Sequence, residues 1–203
     1  GSYLSFNGNV YANLLLTNFL DSGSNVLIRT DALKKVGYFE ESRHFSEDWD
    51  LWLRLAANYN FVAVSKPQIL YRISSYSKST NIGQMESDTI EVIDRAFARN
   101  PTYSKALKQL SKGNVYKYML FRCLNAAPKR HDCLIVVKFL LQSVKYDHSL
   151  IRKKVILKVL LRIITLLVLP REIAVTIINK YKRLYNIDAL LIYMKKGIPF
   201  ELK

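Results

Sequence analysis

The chain has 203 residues, half of them apolar, with 31 Lys and Arg against 16 Asp and Glu and two cysteines. That length can bury a real core, in one domain or two small ones, and two cysteines ten positions apart exclude a disulfide framework and a spaced metal site. The charge is uneven: residues 1–98 hold 9 Lys/Arg and 11 Asp/Glu, a net of −2, and residues 99–203 hold 22 and 5, a net of +17. A near-neutral front therefore precedes a strongly basic back, which points to a polyanionic neighbour or, more plainly, to helices with solvated Lys-rich faces.

Asn9 to Leu20 has apolar positions at helical intervals and predicts one short helix. Ser24 to Arg29 is short and β-branched, which predicts a strand leading into a helix capped by Thr30 or Asp31. That helix runs from Ala32 to Val36 and stops at Gly37, where a left-handed conformation costs little. After a polar loop, Ser46 reads as the cap of the next helix, with Glu47 and Asp48 in a first turn that favours acidic groups. Trp49, Trp52, Leu53 and Ala56 then recur at i, i+3, i+4 and i+7, a single apolar stripe. Phe61 to Ser65 and Ile69 to Ile73 predict two short extended pieces, broken by Pro67 and followed by a Ser-rich loop to Asn81.

From about Gln84 onward the pattern is helical, with helices near 85–98, 103–125, 131–146, 149–168 and 171–185. Their stops are Asn100-Pro101, Ala127-Pro128, Asp147-His148 and Leu169-Pro170. No repeat period stands out. Cys123 and Cys133 fall among apolar helical residues, which favours buried free thiols in a reducing compartment.

Three stretches stand apart: Ser24-Asn-Val-Leu-Ile-Arg-Thr-Asp-Ala-Leu-Lys-Lys-Val-Gly-Tyr-Phe-Glu-Glu, Phe45-Ser-Glu-Asp-Trp-Asp-Leu-Trp-Leu-Arg-Leu-Ala and Leu70-Tyr-Arg. In this order they resemble the C-terminal part of family 2 inverting glycosyltransferases of the GT-A fold. Those enzymes carry a strand with Arg, a Val-Gly-Gly-Phe-Asp/Glu turn, a Glu-Asp-x-Asp-Leu-x-x-Arg helix start and a Tyr-Arg strand. The likeness covers roughly Asn18 to Ser79. It implies an α+β front with few strands, residues 1–82, continued by a basic, mainly α-helical extension, residues 83–203.

By that resemblance Asp48 takes the place of the catalytic base, with Glu47 beside it to orient the base or bind acceptor hydroxyls. Trp49 would offer a flat face to a sugar ring, although its place on the stripe favours core packing. Arg72 would meet phosphate or form an internal ion pair; Arg29 is structural. The resemblance implies a nucleotide-sugar donor, a saccharide or lipid-linked acceptor, and a divalent ion, Mg or Mn, in the full-length enzyme. Acidic residues in a first helical turn are also ordinary dipole partners, and the flanking pieces are what favour catalysis here.

Asp48-Trp49-Asp50 spells Asp-x-Asp, the string that holds the donor's metal in these enzymes, but it falls in a helix. There residues two apart point about 200° from each other and share an ion poorly. Asp50 therefore reads as solvent-facing or paired with Arg54. No other Asp-x-Asp and no N-terminal series of βα units is present, so the sugar-nucleotide half is expected to lie elsewhere and this piece alone to be inactive. Many relatives carry His two residues after the Tyr-Arg arginine; Ser74 stands there. His44, His131 and His148 are scattered, and His44 reads as a loop residue or a lining of the acceptor site.

Lys154, Lys158 and Arg162 are spaced by four in an aliphatic helix that Pro170 ends. A membrane span is not expected. Such a helix either lies on an anionic bilayer, cations at the headgroups, or packs in a helical layer with the cations in water. Nucleic acid is not expected, because the cations are embedded in aliphatic sequence. The location implied is cytoplasmic, or peripheral on the inner face of the membrane, and an open sheet edge would allow a homodimer. A non-catalytic module for membrane docking or protein interaction is the rival reading.

Overall fold

In the computed structural model the described residues are 6–20, 23–64, 66, 82–126, 128 and 132–194. They divide into two compact units, the first running to Lys108 and the second beginning at Gln109.

The first unit is built around the stripe that begins at Trp49. Helices α1 (Tyr11–Leu16), α2 (Thr30–Val36), α3 (Glu47–Ala56) and α4 (Ile82–Arg99) follow in order. Trp49, Trp52, Leu53 and Ala56 are buried as their spacing requires, and so are Leu51 and Leu55. Helix α3 is thus enclosed on most sides and packs against α1, α2 and α4. Leu14, Leu15 and Leu16 of α1 are fully buried. Burial of each such side chain favours the folded state by about 1.5–3 kcal/mol.

The expected α+β, GT-A-type arrangement is corrected: the described residues are helical and contain no strand. Ser24 to Arg29 is a 3-10 turn (Gly23–Asn25) followed by irregular chain, with Leu27 fully exposed. Of the Phe61 piece only Phe61 is paired, through one antiparallel bridge to Gly8 with N–H···O distances of 2.8 and 2.9 Å. The amide of Ala63 donates instead to the Asn7 side chain at 2.7 Å. Ile69 to Ile73 lies outside the described residues. The physical reason is pairing: β-branched residues become a strand only when a neighbouring chain takes up their backbone groups, and among the described residues no such neighbour runs alongside.

Helix α2 begins at Thr30, and neither Thr30 nor Asp31 caps it; Arg29 occupies the cap position and forms an exposed pair with Asp31 at 2.7 Å. The helix ends at Gly37, whose φ of +83° suits glycine.

The second unit holds most of α5 (Lys105–Asn125), then α6 (Cys133–Tyr146), a 3-10 turn (His148–Arg152), α7 (Val155–Val168), α8 (Arg171–Lys180), α9 (Lys182–Tyr185) and α10 (Ala189–Ile192). The helix expected over 149–168 is divided because Asp147 accepts the Ser149 amide at 3.1 Å and caps the 3-10 turn first. Helix α7 packs against α6, α8 and α9. Gly113 of α5 faces Tyr146 so closely that a Cβ would sit 3.2 Å from that side chain. Beside it the buried Lys117 ammonium donates to Asp147 at 2.6 Å and to the Tyr193 carbonyl at 3.1 Å. Cys123 and Cys133 are buried free thiols, and burial pushes the Cys123 thiol up to about 11.

Two of the three cations of the α7 stripe are engaged by the neighbouring chain. Lys154 is exposed, but Lys158 donates to the Arg183 carbonyl at 3.1 Å, and Arg162, 8% exposed, donates to the Tyr185 carbonyl at 3.3 Å. Helix α9 covers that flank, and its last carbonyls, lacking partners within the helix, attract the two cations. Among the described residues no helix is long and apolar enough to cross a membrane.

Candidate active site

The start of α3 is where the resemblance places the chemistry, and two sets of side chains fix it. Arg54 makes the first. Its Nε donates to Asp50 at 2.8 Å, one terminal nitrogen to the carbonyls of Val36 and Gly37 at 2.7 and 2.9 Å, and the other to that of Tyr38 at 2.8 Å. Asp50, 2% exposed, also accepts from Arg99 at 3.4 Å. The Val-Gly-Tyr turn is thereby clamped to α3, and Asp50 is Arg-paired rather than solvent-facing.

The second set ties the Glu40–Ser46 loop to α4. Arg95 and Arg43 donate to the Glu40 carboxylate at 3.1 and 3.2 Å, which holds its pKa below the usual range. Buried Arg43 donates to the Asp88 carbonyl at 3.3 Å, and the Phe45 amide to the Asp88 carboxylate at 3.1 Å. The Ser46 hydroxyl shares a 2.7 Å hydrogen bond with Thr89. Ser46 holds the cap position, as its sequence context predicts, yet its side chain does not cap the helix: at φ 58° it is left-handed and its hydroxyl is taken by α4. Left-handed backbone is costly for a non-glycine residue, and the bonds to Asp88 and Thr89 offset that cost.

Asp48 emerges from this junction half-buried, with Glu47 half-buried beside it. One Asp48 oxygen accepts the Trp49 amide at 2.6 Å. Burial raises the Asp48 pKa, the neighbouring Glu47 charge adds to the rise, and the Trp49 amide and the Asn18 side chain oppose it. The amide oxygen of Asn18 is itself buried and accepts no hydrogen bond. A carboxylate of raised basicity thus lies beside a buried, unsatisfied amide oxygen.

Trp49 is buried and its indole N–H donates to the Leu14 carbonyl at 2.8 Å. This burial is what the packing alternative expects. His44 is exposed, and Arg72 lies outside the described residues. Sequence reasoning missed Asn18, Asp88 and Thr89, which meet the site from elements far along the chain and carry no local signal. A cavity of about 150 Å³ beside Tyr11, Arg54 and Arg99, and another of about 210 Å³ beside Asp94, Tyr103 and Lys108, are lined by residues other than Asp48. Among the described residues no three His, Cys, Asp or Glu side chains are grouped as a metal ion would need.

Residues 3–123, more than half of the chain, match the family model of glycosyltransferase-like family 2. The chain belongs to that family. No curated protein and no solved structure matches it. Membership in glycosyltransferase-like family 2 places the chain in a transferase family, with glycosyl transfer from a nucleotide-sugar donor to an acceptor as its general chemistry. The matched span includes α1 to α4 and both sets of contacts around Asp48.

Proposed function

We propose that this family 2 protein serves an inverting glycosyl transfer in which Asp48 is the general base. The observation that supports the reading is the half-buried Asp48 carboxylate, made more basic by burial, with the unsatisfied Asn18 oxygen beside it.

An acceptor hydroxyl, from a saccharide or a lipid-linked acceptor, attacks the anomeric carbon opposite the leaving group. Its proton passes to Asp48 as the new carbon–oxygen bond forms. The bond to the nucleoside diphosphate breaks, and its electron pair leaves with the diphosphate. General-base help of this kind is worth about 10²–10⁴-fold. Glu47, half-buried beside Asp48, orients the acceptor. The donor's diphosphate and any divalent ion are assigned to residues outside those described; Asp50 is committed to two guanidinium groups and no step runs through a metal here.

Asp48→Asn in the intact enzyme tests the assignment. Transfer is expected to fall by about 10²–10⁴-fold with the fold unchanged. Activity that survives the substitution removes Asp48 as base.

A further inference from the structure

Helix α7 is apolar on two opposite sides. Val155, Val159, Ile163 and Leu166 are buried against its neighbours. Facing solvent, Leu157 is 70% exposed, Ile164 55% and Val168 64%, with Leu160 between them also exposed. Positions three, four and seven apart share one helical face, so these side chains form a continuous outward stripe. Water-soluble monomers rarely present such a stripe without a partner for it.

The surrounding charge says what that partner is. Residues 109–195 hold 17 Lys and Arg against 4 Asp and Glu, a net of +13, and no acidic residue occurs between Asp147 and Glu172. Helix α9 lies along one flank of α7, and its Lys182, Arg183 and Leu184 are exposed, as is Lys180 just before it. A second copy of so basic a surface would repel the first, whereas an anionic lipid surface complements it. At 14 residues, α7 is about 21 Å long, too short to cross a hydrocarbon core of about 30 Å.

We propose that the outward face of α7 lies in the interfacial layer of an anionic bilayer. The aliphatic stripe enters the upper acyl region, and Lys154, Lys180, Lys182 and Arg183 reach the headgroups. Lys158 and Arg162 hold α9 in place, which keeps its cations beside the stripe. This inference is independent of Asp48, since it is read by lipid binding and not by transfer.

Flotation of the full chain with phosphatidylcholine vesicles, and with a phosphatidylcholine–phosphatidylglycerol mixture, tests it. The protein is expected to float with the anionic vesicles only, and less at high salt. Substituting Leu157, Ile164 and Val168 together by Gln abolishes flotation. Substituting Lys180, Lys182 and Arg183 together by Gln weakens it by roughly fivefold per cation. All six side chains are exposed, and unchanged circular dichroism and thermal unfolding show that the variants fold. The proposal is overturned by absence of binding to anionic vesicles, by binding that the aliphatic substitutions leave intact, or by a dimer in light scattering that those same substitutions disperse.

Discussion

The guanidinium of Arg54 holds the buried Asp50 carboxylate at 2.8 Å while its remaining nitrogens hold three carbonyls of the Val36–Tyr38 turn. Removing Arg54 leaves the buried Asp50 only its longer 3.4 Å contact with Arg99 and leaves three carbonyls without their donor. Arg54→Ala is expected to destabilise the first unit by about 3–5 kcal/mol, measured by denaturant unfolding. Arg54→Lys recovers little, because an ammonium lacks the planar fork that spans carboxylate and carbonyls. A variant that unfolds at the wild-type midpoint would falsify the clamp.

Asp48 gives a paired signature in pH. Its folded-state pKa is raised, mainly by burial, so folding favours the protonated form. The stability this contributes is fully present below the ordinary carboxylate pKa and is lost as pH rises through the raised value. Asp48→Asn is therefore expected to be more stable than wild type at neutral pH, with the gap closing in acid. Transfer moves the opposite way, falling as pH drops through the raised value, because a base must be ionised to act. Parallel thermal melts and rate profiles of wild type and Asp48→Asn check both limbs; a variant less stable at pH 7 contradicts the assignment.

Gly37→Ala isolates a backbone effect. At φ +83° the added Cβ meets nothing closer than an Arg54 nitrogen at 3.5 Å, an ordinary contact. The cost is conformational, about 1 kcal/mol or somewhat more, and calorimetry is expected to show a lower melting temperature with an unchanged fold.

In the second unit the Lys117–Asp147 pair is expected to respond asymmetrically. Asp147→Ala removes both the partner of a buried ammonium and the cap of the His148–Arg152 turn. It is expected to cost about 3–5 kcal/mol. Lys117→Met, which leaves Asp147 its Ser149 contacts, costs less. Urea titrations that rank the two variants in reverse order contradict this.

Much of α3 was legible because a helix announces itself within a dozen residues: the spacing of Trp49, Trp52, Leu53 and Ala56 needs no distant information. The helix stops at Pro101, Pro128 and Pro170 were legible for the same local reason. The absence of a strand among the described residues was not, because Val26 and Ile28 have strand propensity but no strand partner there, and pairing is a property of two segments. The junction around Asp48 was half legible. Its acidic pair and the Asp50–Arg54 spacing lie in one stretch, whereas Asn18, Asp88 and Thr89 arrive from elsewhere and look like any other polar residues. On α7 the four-residue spacing of cations was plain, yet only the position of α9 decides which flank is covered.

Ser46 is where two helices share one responsibility. Its left-handed backbone aims the first turn of α3, but the hydroxyl and the adjacent Phe45 amide are anchored on Thr89 and Asp88. The bearing of Asp48 is consequently set from α4 as much as from its own helix. A slide of α4 along its axis would therefore turn that carboxylate while leaving every residue in place, so its direction has a handle well away from α3.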